Sequence, residues 1–419
     1  MLKTLTTIVR DQTLRNRVLF VLAAFLLFRV LANIPIPGVD PNAVAQFVGD
    51  NQFLGLLNIF SGGGLSSLSL VMLGVGPYIT ASIIMQLVTI MSPKVKAMYQ
   101  EEGEAGRRKF QQYARLLTVP LAIVQGYGFI TLLTNNGIIV GLGGFELITN
   151  LIIITAGSML LTWIGELVSE FGIGNGMSLI IFAGIVASLP TTLSQLQFTF
   201  TPDQLPTYIG FAFAALLVTL GVVIVTEAER PVPITYSKEA SGSRNNVQSY
   251  LPLRVNQAGV IPIIFALSIL LFPQMIVSFL ATNVTSGIVA TVSGWVLAFL
   301  NNGWLYASVY FLLVFGFTYF YTAITFEPEQ VAKNLQRNGG FVPGVRPGRA
   351  TAEYLDVIVS RLTLFGGLFL ALVAVLPLIM QALTGIAAFT IGGTSLLIAV
   401  SVIIDLIKKI EAQTAMREY

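Results

Sequence analysis

The chain has 419 residues, of which 55% are hydrophobic and only 10% charged, and its mean hydropathy is +0.81. Soluble domains carry roughly 25% charged residues, so a soluble globular protein is excluded. Neither Cys nor His occurs, which removes disulfides, thiol nucleophiles, Cys/His metal sites and histidine proton relays. The one Lys followed by Ser or Thr is Lys3, with no phosphate loop before it, and no G-x-S-x-G elbow appears. The chain therefore reads as a non-enzyme without a cofactor, and any energy for its work has to come from elsewhere.

In chain order, MLKTLTTIVRDQTLRNRV is too polar for a cleaved signal peptide, which needs its apolar core directly behind a basic start. Lys3, Arg10, Arg15 and Arg17 precede the first apolar run and place the N-terminus on the cytoplasmic side. From Leu57 to Val88 a hydrophobic segment is broken in its middle. Gly62, Gly63 and Gly64, followed by Ser66, Ser67 and Ser69, interrupt it; Gly74, Gly76 and Pro77 then open an unbroken half. Irregular backbone survives at membrane depth only inside protein or against a water-filled cavity. The stretch is thus either part of a cavity or pathway, or a short surface helix and loop ahead of an ordinary span.

Basic residues fix the topology beyond this point. Lys94, Lys96, Arg107, Arg108, Lys109 and Arg115 form one group, and Arg230, Lys238, Arg244 and Arg254 the next. Lys333, Arg337, Arg346, Arg349 and Arg361 follow, then Lys408, Lys409 and Arg417. The intervening stretches near 35–74, 135–148, 191–206, 281–304 and 380–391 contain no Lys or Arg. This alternation predicts ten transmembrane helices with both termini cytoplasmic. They fall near 18–34, 75–91, 111–133, 149–168, 176–190, 207–226, 258–280, 305–325, 359–379 and 392–408. Segment 286–300 is apolar too, but making it a span would reverse the later basic groups, so it reads as lying on the outer surface.

Two cytoplasmic loops, about 227–257 and 326–358, are long and polar, and read as a docking platform for a cytoplasmic partner. Arg29, Glu166 and Asp405 are the charges inside spans, all near span ends, where snorkelling to the interface accounts for them. No ionisable group falls at a midplane, which argues against a small charged substrate. On the residues alone a pathway through the membrane, a secondary transporter with broken helices and a membrane scaffold that recruits partners all stand.

Seven stretches, in order, resemble the SecY/Sec61 protein-conducting channel family: FSGGGLS at 60–66, GPYITASIIMQL at 76–87, EGEAGRRK at 102–109, GIGNGMSLIIFAGIVASLP at 172–190, LPLRVNQAGVIPIIFA at 251–266, GGFVPGVRPGRATAEYL at 339–355 and GGTSLLIAVSVIID at 392–405. The resemblance covers nearly the whole chain. It implies an all-α polytopic membrane protein with ten helices in two pseudo-symmetric five-helix halves. Residues 1–200 would be the N-terminal half, with a plug near 57–69, and 201–419 the C-terminal half. Unfolded secretory chains would pass through the middle, and apolar segments, signal sequences included, would leave sideways between the second, third, seventh and eighth spans.

Carried over by motif, the plug comprises Asn58, Phe60, Ser61, Gly62, Gly63, Gly64 and Leu65. The constriction ring comprises Val75, Ile79, Met177, Ile181, Ile264 and Ile398. Val75 and Met177 stand where the family commonly has isoleucine. An apolar ring resists wetting and so blocks ions. Gln86 would line the lateral gate, while Arg346 and, more weakly, Arg254 would dock partners; the guanidinium fork suits carboxylates and RNA phosphates. Implied partners are SecE-like and SecG-like subunits, the SecA ATPase or a ribosome, signal peptides, unfolded polypeptide and membrane lipid. The implied location is a bacterial plasma membrane or a cyanobacterial thylakoid.

Overall fold

A computed structural model describes residues 11–37, 44, 47–48, 54, 58, 61–139, 143–198, 205–236, 249–270, 277, 291, 294–296, 298, 302–384 and 388–415. Helix α1 (Gln12–Ala32) starts at Asp11, whose carboxylate accepts from the backbone N–H groups of Thr13 at 2.9 Å and Leu14 at 3.5 Å. Helix α2 (Gly76–Met91) begins with Pro77 in its first turn, where the missing N–H has no helical partner to lose. It ends at Ser92, held extended by the proline that follows. Pro93 opens α3 (Pro93–Gln100), and the chain bends by 117° between the two helices.

Helix α4 (Gly103–Asn135) has 33 residues. At 1.5 Å per residue it is about 50 Å long, well beyond a hydrocarbon core of about 30 Å. Its charged first turns therefore project from the membrane, on the side carrying the basic connectors. Helices α5 (Gly144–Phe171), α6 (Gly176–Phe198) and α7 (Leu205–Glu227) complete the first part of the bundle. A short apolar helix, α8 (Ile261–Leu270), falls in the seventh predicted span. Helices α9 (Gly303–Thr325), α10 (Pro328–Arg337), α11 (Arg349–Thr384) and α12 (Ala388–Ala415) follow. Each of the ten predicted spans thus falls on a helix, the seventh only for its described residues. Segment 286–300 lies largely outside the described residues.

Among the described residues, five helices are long and apolar enough by themselves to cross a bilayer, and a sixth is reached if the bent α2–α3 pair is taken as one broken span. Apolar side chains also face outward. In α7, Ile209, Phe213, Leu216, Leu220 and Ile224 are all exposed. A helix apolar all round with so little buried has hydrocarbon for its solvent. The protein is a polytopic membrane protein.

The main apolar core runs through the bundle from Val21 and Phe28 of α1 to Val402 of α12, with α5, α6, α8, α9 and α11 between them. The face of α5 toward this core is small, and two of its glycines set the approach of other elements. A side chain at Gly157 would overlap the carbonyl of Leu70, and one at Gly165 would overlap the Met177 thioether. Small residues at helix contacts let backbones approach closely in membranes. A second core at the end away from the basic connectors joins Leu65, Leu68 and Met72 to Phe129, Leu133 and Ile154.

The two long polar loops are not independent connectors. Strand β1 (Glu229–Tyr236) pairs antiparallel with β2 (Ser249–Arg254), Glu229 opposite Arg254 and Ile234 opposite Ser249. Strand β3 (Gly340–Phe341) comes from the other loop and pairs with Thr235 and Tyr236 on the free edge of β1. Pro231 and Pro233 cannot donate to a ladder, and β3 joins only beyond them. Val232, Leu253 and Val342 pack on Leu355, Ile358 and Val359 of α11, which gives this small sheet its own core.

Candidate functional site

A cavity of about 660 Å³ lies between α2, α4, α5, α6, α8 and α9, at the end of the bundle that carries the basic connectors. Its wall has two characters. Gln111, Gln112 and Arg115 of α4 with Glu166 and Ser169 of α5 make it polar. Ile79, Met177, Ile181 and Ile264, four of the six ring candidates, make it apolar. Val75 and Ile398 do not line the cavity, but both are buried in the same core that holds Ile181 and Ile264 and against which Ile79 and Met177 pack. Residues spread over 323 positions of sequence (75 to 398) therefore share one extended apolar core.

Local structure explains the convergence. Val75 is the residue before the first turn of α2, placed there by the Gly76–Pro77 start. The close approach of Leu70 to Gly157 brings the preceding segment against α5, and Gly165 leaves room for Met177. Asn175 caps the start of α6 by accepting from the N–H groups of Met177 at 3.0 Å and Ser178 at 3.3 Å. The Ser169 hydroxyl accepts from the N–H of Gly176 at 2.8 Å, which ties that corner to α5.

Glu166 is not a snorkelling charge. It accepts from Arg115 Nε at 2.5 Å, joining α4 to α5 in the cavity wall. Asp405 pairs with Lys409 one turn on, at 2.7 Å. Gln86 lines the cavity, and its side-chain oxygen is buried and accepts no hydrogen bond among the described residues. The four elements expected around the lateral gate, α2, α4, α8 and α9, all contribute to this wall.

On the opposite end, the glycine-rich stretch folds as a run of turns stitched to α1. Asn58 gathers it. Its carbonyl accepts from the N–H of Gly63 at 2.8 Å and from the Ser61 hydroxyl at 3.0 Å, while its side-chain oxygen accepts from the N–H of Ser66 at 2.8 Å. Gly62 has φ +67, and a side chain there would strike the Phe28 ring. The same position comes within 3.1 Å of the Gly184 Cα, and Gly184 lies one turn beyond Ile181 on α6. Ser61 and Leu65 are buried. Arg29 Nη1 donates to the Gly62 carbonyl at 3.0 Å, so this residue too does more than snorkel. Phe60 lies outside the described residues.

The two docking candidates differ. Arg346 is exposed in the turn between β3 and α11, and its carbonyl accepts from the Thr351 hydroxyl at 2.8 Å. Its guanidinium has no ion-pair partner among the described residues. Arg254 donates to Glu229 across the β1–β2 pair at 3.3 Å, and Glu229 also lies 4.0 Å from Lys408. Its charge is used inside the fold.

A family model described as SecY matches residues 69–407. The protein translocase subunit SecY of Streptomyces galbus is 42% identical over 433 residues, covering 98% of this chain and 97% of that relative. Two solved structures share the fold. A SecY structure described by its plug domain, which stabilises the closed state of the translocation channel, has a TM-score of 0.68 at 20% identity, over 97% of this chain and 94% of that one. Sec61 in a canine ribosome–channel complex from the endoplasmic reticulum has a TM-score of 0.63, also at 20% identity and the same coverage. With most of its length matched by the family model and nearly all of it by a relative of this identity, the chain belongs to the SecY family.

Proposed function

We propose that this chain is the channel subunit of a protein translocase, passing unfolded polypeptide across the membrane and releasing apolar segments sideways into lipid. The observation that carries this reading is the apolar core beside the polar cavity. Aliphatic side chains of α2, α6 and α8 make the apolar part of the cavity wall, and Ile398 of α12 is buried in the same core. Such a constriction excludes ions by dewetting. It holds no charge that would retain one substrate sequence over another.

In this reading the cavity faces the cytoplasm, as do both termini, in a bacterial plasma or thylakoid membrane. Val75, Ile79, Met177, Ile181, Ile264 and Ile398 are the ring. Residues near 57–69 are the plug, Gln86 lines the lateral gate, and residues 1–200 and 201–419 are the halves that part. Partition of an emerging segment follows transfer energies, with Leu or Ile favourable by about 0.5 kcal/mol and Asp or Lys unfavourable by about 3 kcal/mol. Arg346, on a turn braced between β3 and α11, is the docking cation for a SecA-type ATPase or a ribosome, which supplies the driving force. SecE-like and SecG-like subunits complete the complex. A secondary transporter with broken helices would instead centre on a compact charged site at the midplane, whereas Glu166 of the cavity wall is spent on Arg115.

The natural absence of cysteine gives the test. Single Cys residues at Ile79 or Ile181, with a secretory substrate stalled midway and carrying one Cys of its own, should form a disulfide whose yield tracks the position of the substrate Cys. Adducts at a Cys near Arg346 but none at either ring position would mean that chains dock without passing, and the scaffold reading would take over.

A further inference from the structure

The glycine-rich stretch is bonded to a residue outside it. Every other Lys and Arg of the sequence falls before the first span or in the basic connectors and their flanks; Arg29 alone stands toward the opposite end, in the last turn of α1. A guanidinium there runs against the charge asymmetry of the rest of the chain. Its contact accounts for it. Nη1 donates to the carbonyl of Gly62 at 3.0 Å, and lies 3.8 Å from where a side chain on Gly63 would begin. Gly62 and Gly63 both have positive φ, +67 and +85. Left-handed backbone at consecutive residues is open to glycine at little strain, and here it turns a carbonyl toward α1. Phe28 packs under the same glycine. Adjacent side chains of one helix turn thus grip the turn from two directions, one by charge and one by shape.

We propose that Arg29 is the clasp of the closing segment, a positioning residue whose charged hydrogen bond to Gly62 sets how rarely the segment leaves its seat. The inference rests on the reading of residues 57–69 as the plug. The rest of the attachment lies nearer the end of α1 and can persist when the clasp opens. Ile36 N–H donates to the Leu68 carbonyl at 2.8 Å, Leu70 N–H to the Ile34 carbonyl at 3.0 Å, and the Ser67 hydroxyl to the Ala32 carbonyl at 2.9 Å. These bonds form a hinge, and the turn at Gly62 is the part that swings.

The test uses the whole complex in lipid vesicles. Arg29→Ala and Arg29→Gln should each raise ion conductance without substrate about tenfold or more, the loss expected for one charge-assisted hydrogen bond. Export of a substrate with a weakened signal should rise in parallel, while a normal substrate is exported as before. Thiol labelling separates release of the segment from loosening of the fold. In the Arg29→Ala background a Leu65→Cys probe should react faster than in the parent, while an Ile154→Cys probe in the same outer core reacts at the parent rate. Gly62→Ala breaks the same seat through Phe28, so Arg29→Ala should add little to it. Parent-like conductance in both Arg29 variants overturns the clasp, as does equal acceleration at both probes, or full additivity with Gly62→Ala. If the unaltered complex exports nothing, it is the channel reading that fails.

Discussion

Gly157 sits where a backbone carbonyl, not a side chain, presses on a helix, and that distinction sets what its replacement would do. A methyl group there would overlap the Leu70 carbonyl, and a backbone fixed by neighbouring turns cannot rotate away as a side chain can. Gly210 of α7 is the opposite case, with nothing within 4 Å of a side chain placed there. Overpacking a core costs about 1–3 kcal/mol, whereas alanine replacing a helical glycine gains about 0.5–1 kcal/mol. Gly157→Ala should therefore lower the thermal midpoint of the purified complex, and Gly210→Ala should leave it level or raise it. A Gly157→Ala protein melting with the parent would mean that the segment before Val75 is free to shift. Composition alone does not separate these two glycines, because each lies in an apolar run. What separates them is a contact from a stretch some 87 residues earlier in the chain (157 against 70).

Elements show the same boundary between what is local and what is not. The ten spans follow from apolar runs of membrane length and the alternation of basic groups, both properties of contiguous sequence, and each falls on a helix among its described residues. The three-stranded sheet does not follow from them. ERPVPITY carries two prolines that argue against a strand, and its second neighbour, Gly340–Phe341, is two residues long and lies in the other loop. For Arg29 and Glu166 the sequence offers only a position near a span end, which points to snorkelling; their partners Gly62 and Arg115 stand 33 and 51 residues away. The sheet separates the two docking candidates. Val342 and Val345 anchor the turn on α11, which leaves the Arg346 guanidinium outward, whereas Arg254 is bound to Glu229. Arg346→Glu should weaken binding of a SecA-type ATPase to the reconstituted complex by about 10-fold or more, the loss expected for a charged hydrogen bond, with the thermal midpoint unchanged. Arg254→Glu should do the reverse, because it sets two carboxylates opposite each other across β1 and β2. Equal loss of binding in the two variants would assign docking to the whole basic face.

At the scale of the molecule, the question raised by the proposed channel is what would hold residues 1–200 against 201–419 when no chain is passing. Among the ion pairs between described residues, one joins residues before 200 to residues after it: Lys96 Nζ lies 3.4 Å from Glu327 Oε1, between α3 and the corner leading into α10. Below it a crevice of about 440 Å³ runs between Tyr99 and Phe110 on one side and Tyr321 and Phe326 on the other. Position alone would make this pair a latch, but its magnitude argues otherwise. The Lys96 side chain is 56% exposed and that of Glu327 25%, and an ion pair so hydrated is worth about 0–1 kcal/mol. The apolar core is of another order. Val75, Ile181 and Ile398 are each at most 2% exposed, and a fully buried side chain of that kind contributes about 1.5–3 kcal/mol. On the channel reading proposed above, closure would rest on these buried aliphatic side chains and be only trimmed by the ion pair. In vesicles, Lys96→Gln and Glu327→Gln should each change the substrate-free conductance by less than about fivefold, the equivalent of 1 kcal/mol. Ile181→Asn, which puts an amide into the constriction and lets it wet, should raise conductance well beyond either. If Lys96→Gln leaks as much as Ile181→Asn, the halves are held at the rim and the apolar contact in the middle merely fills the space between them.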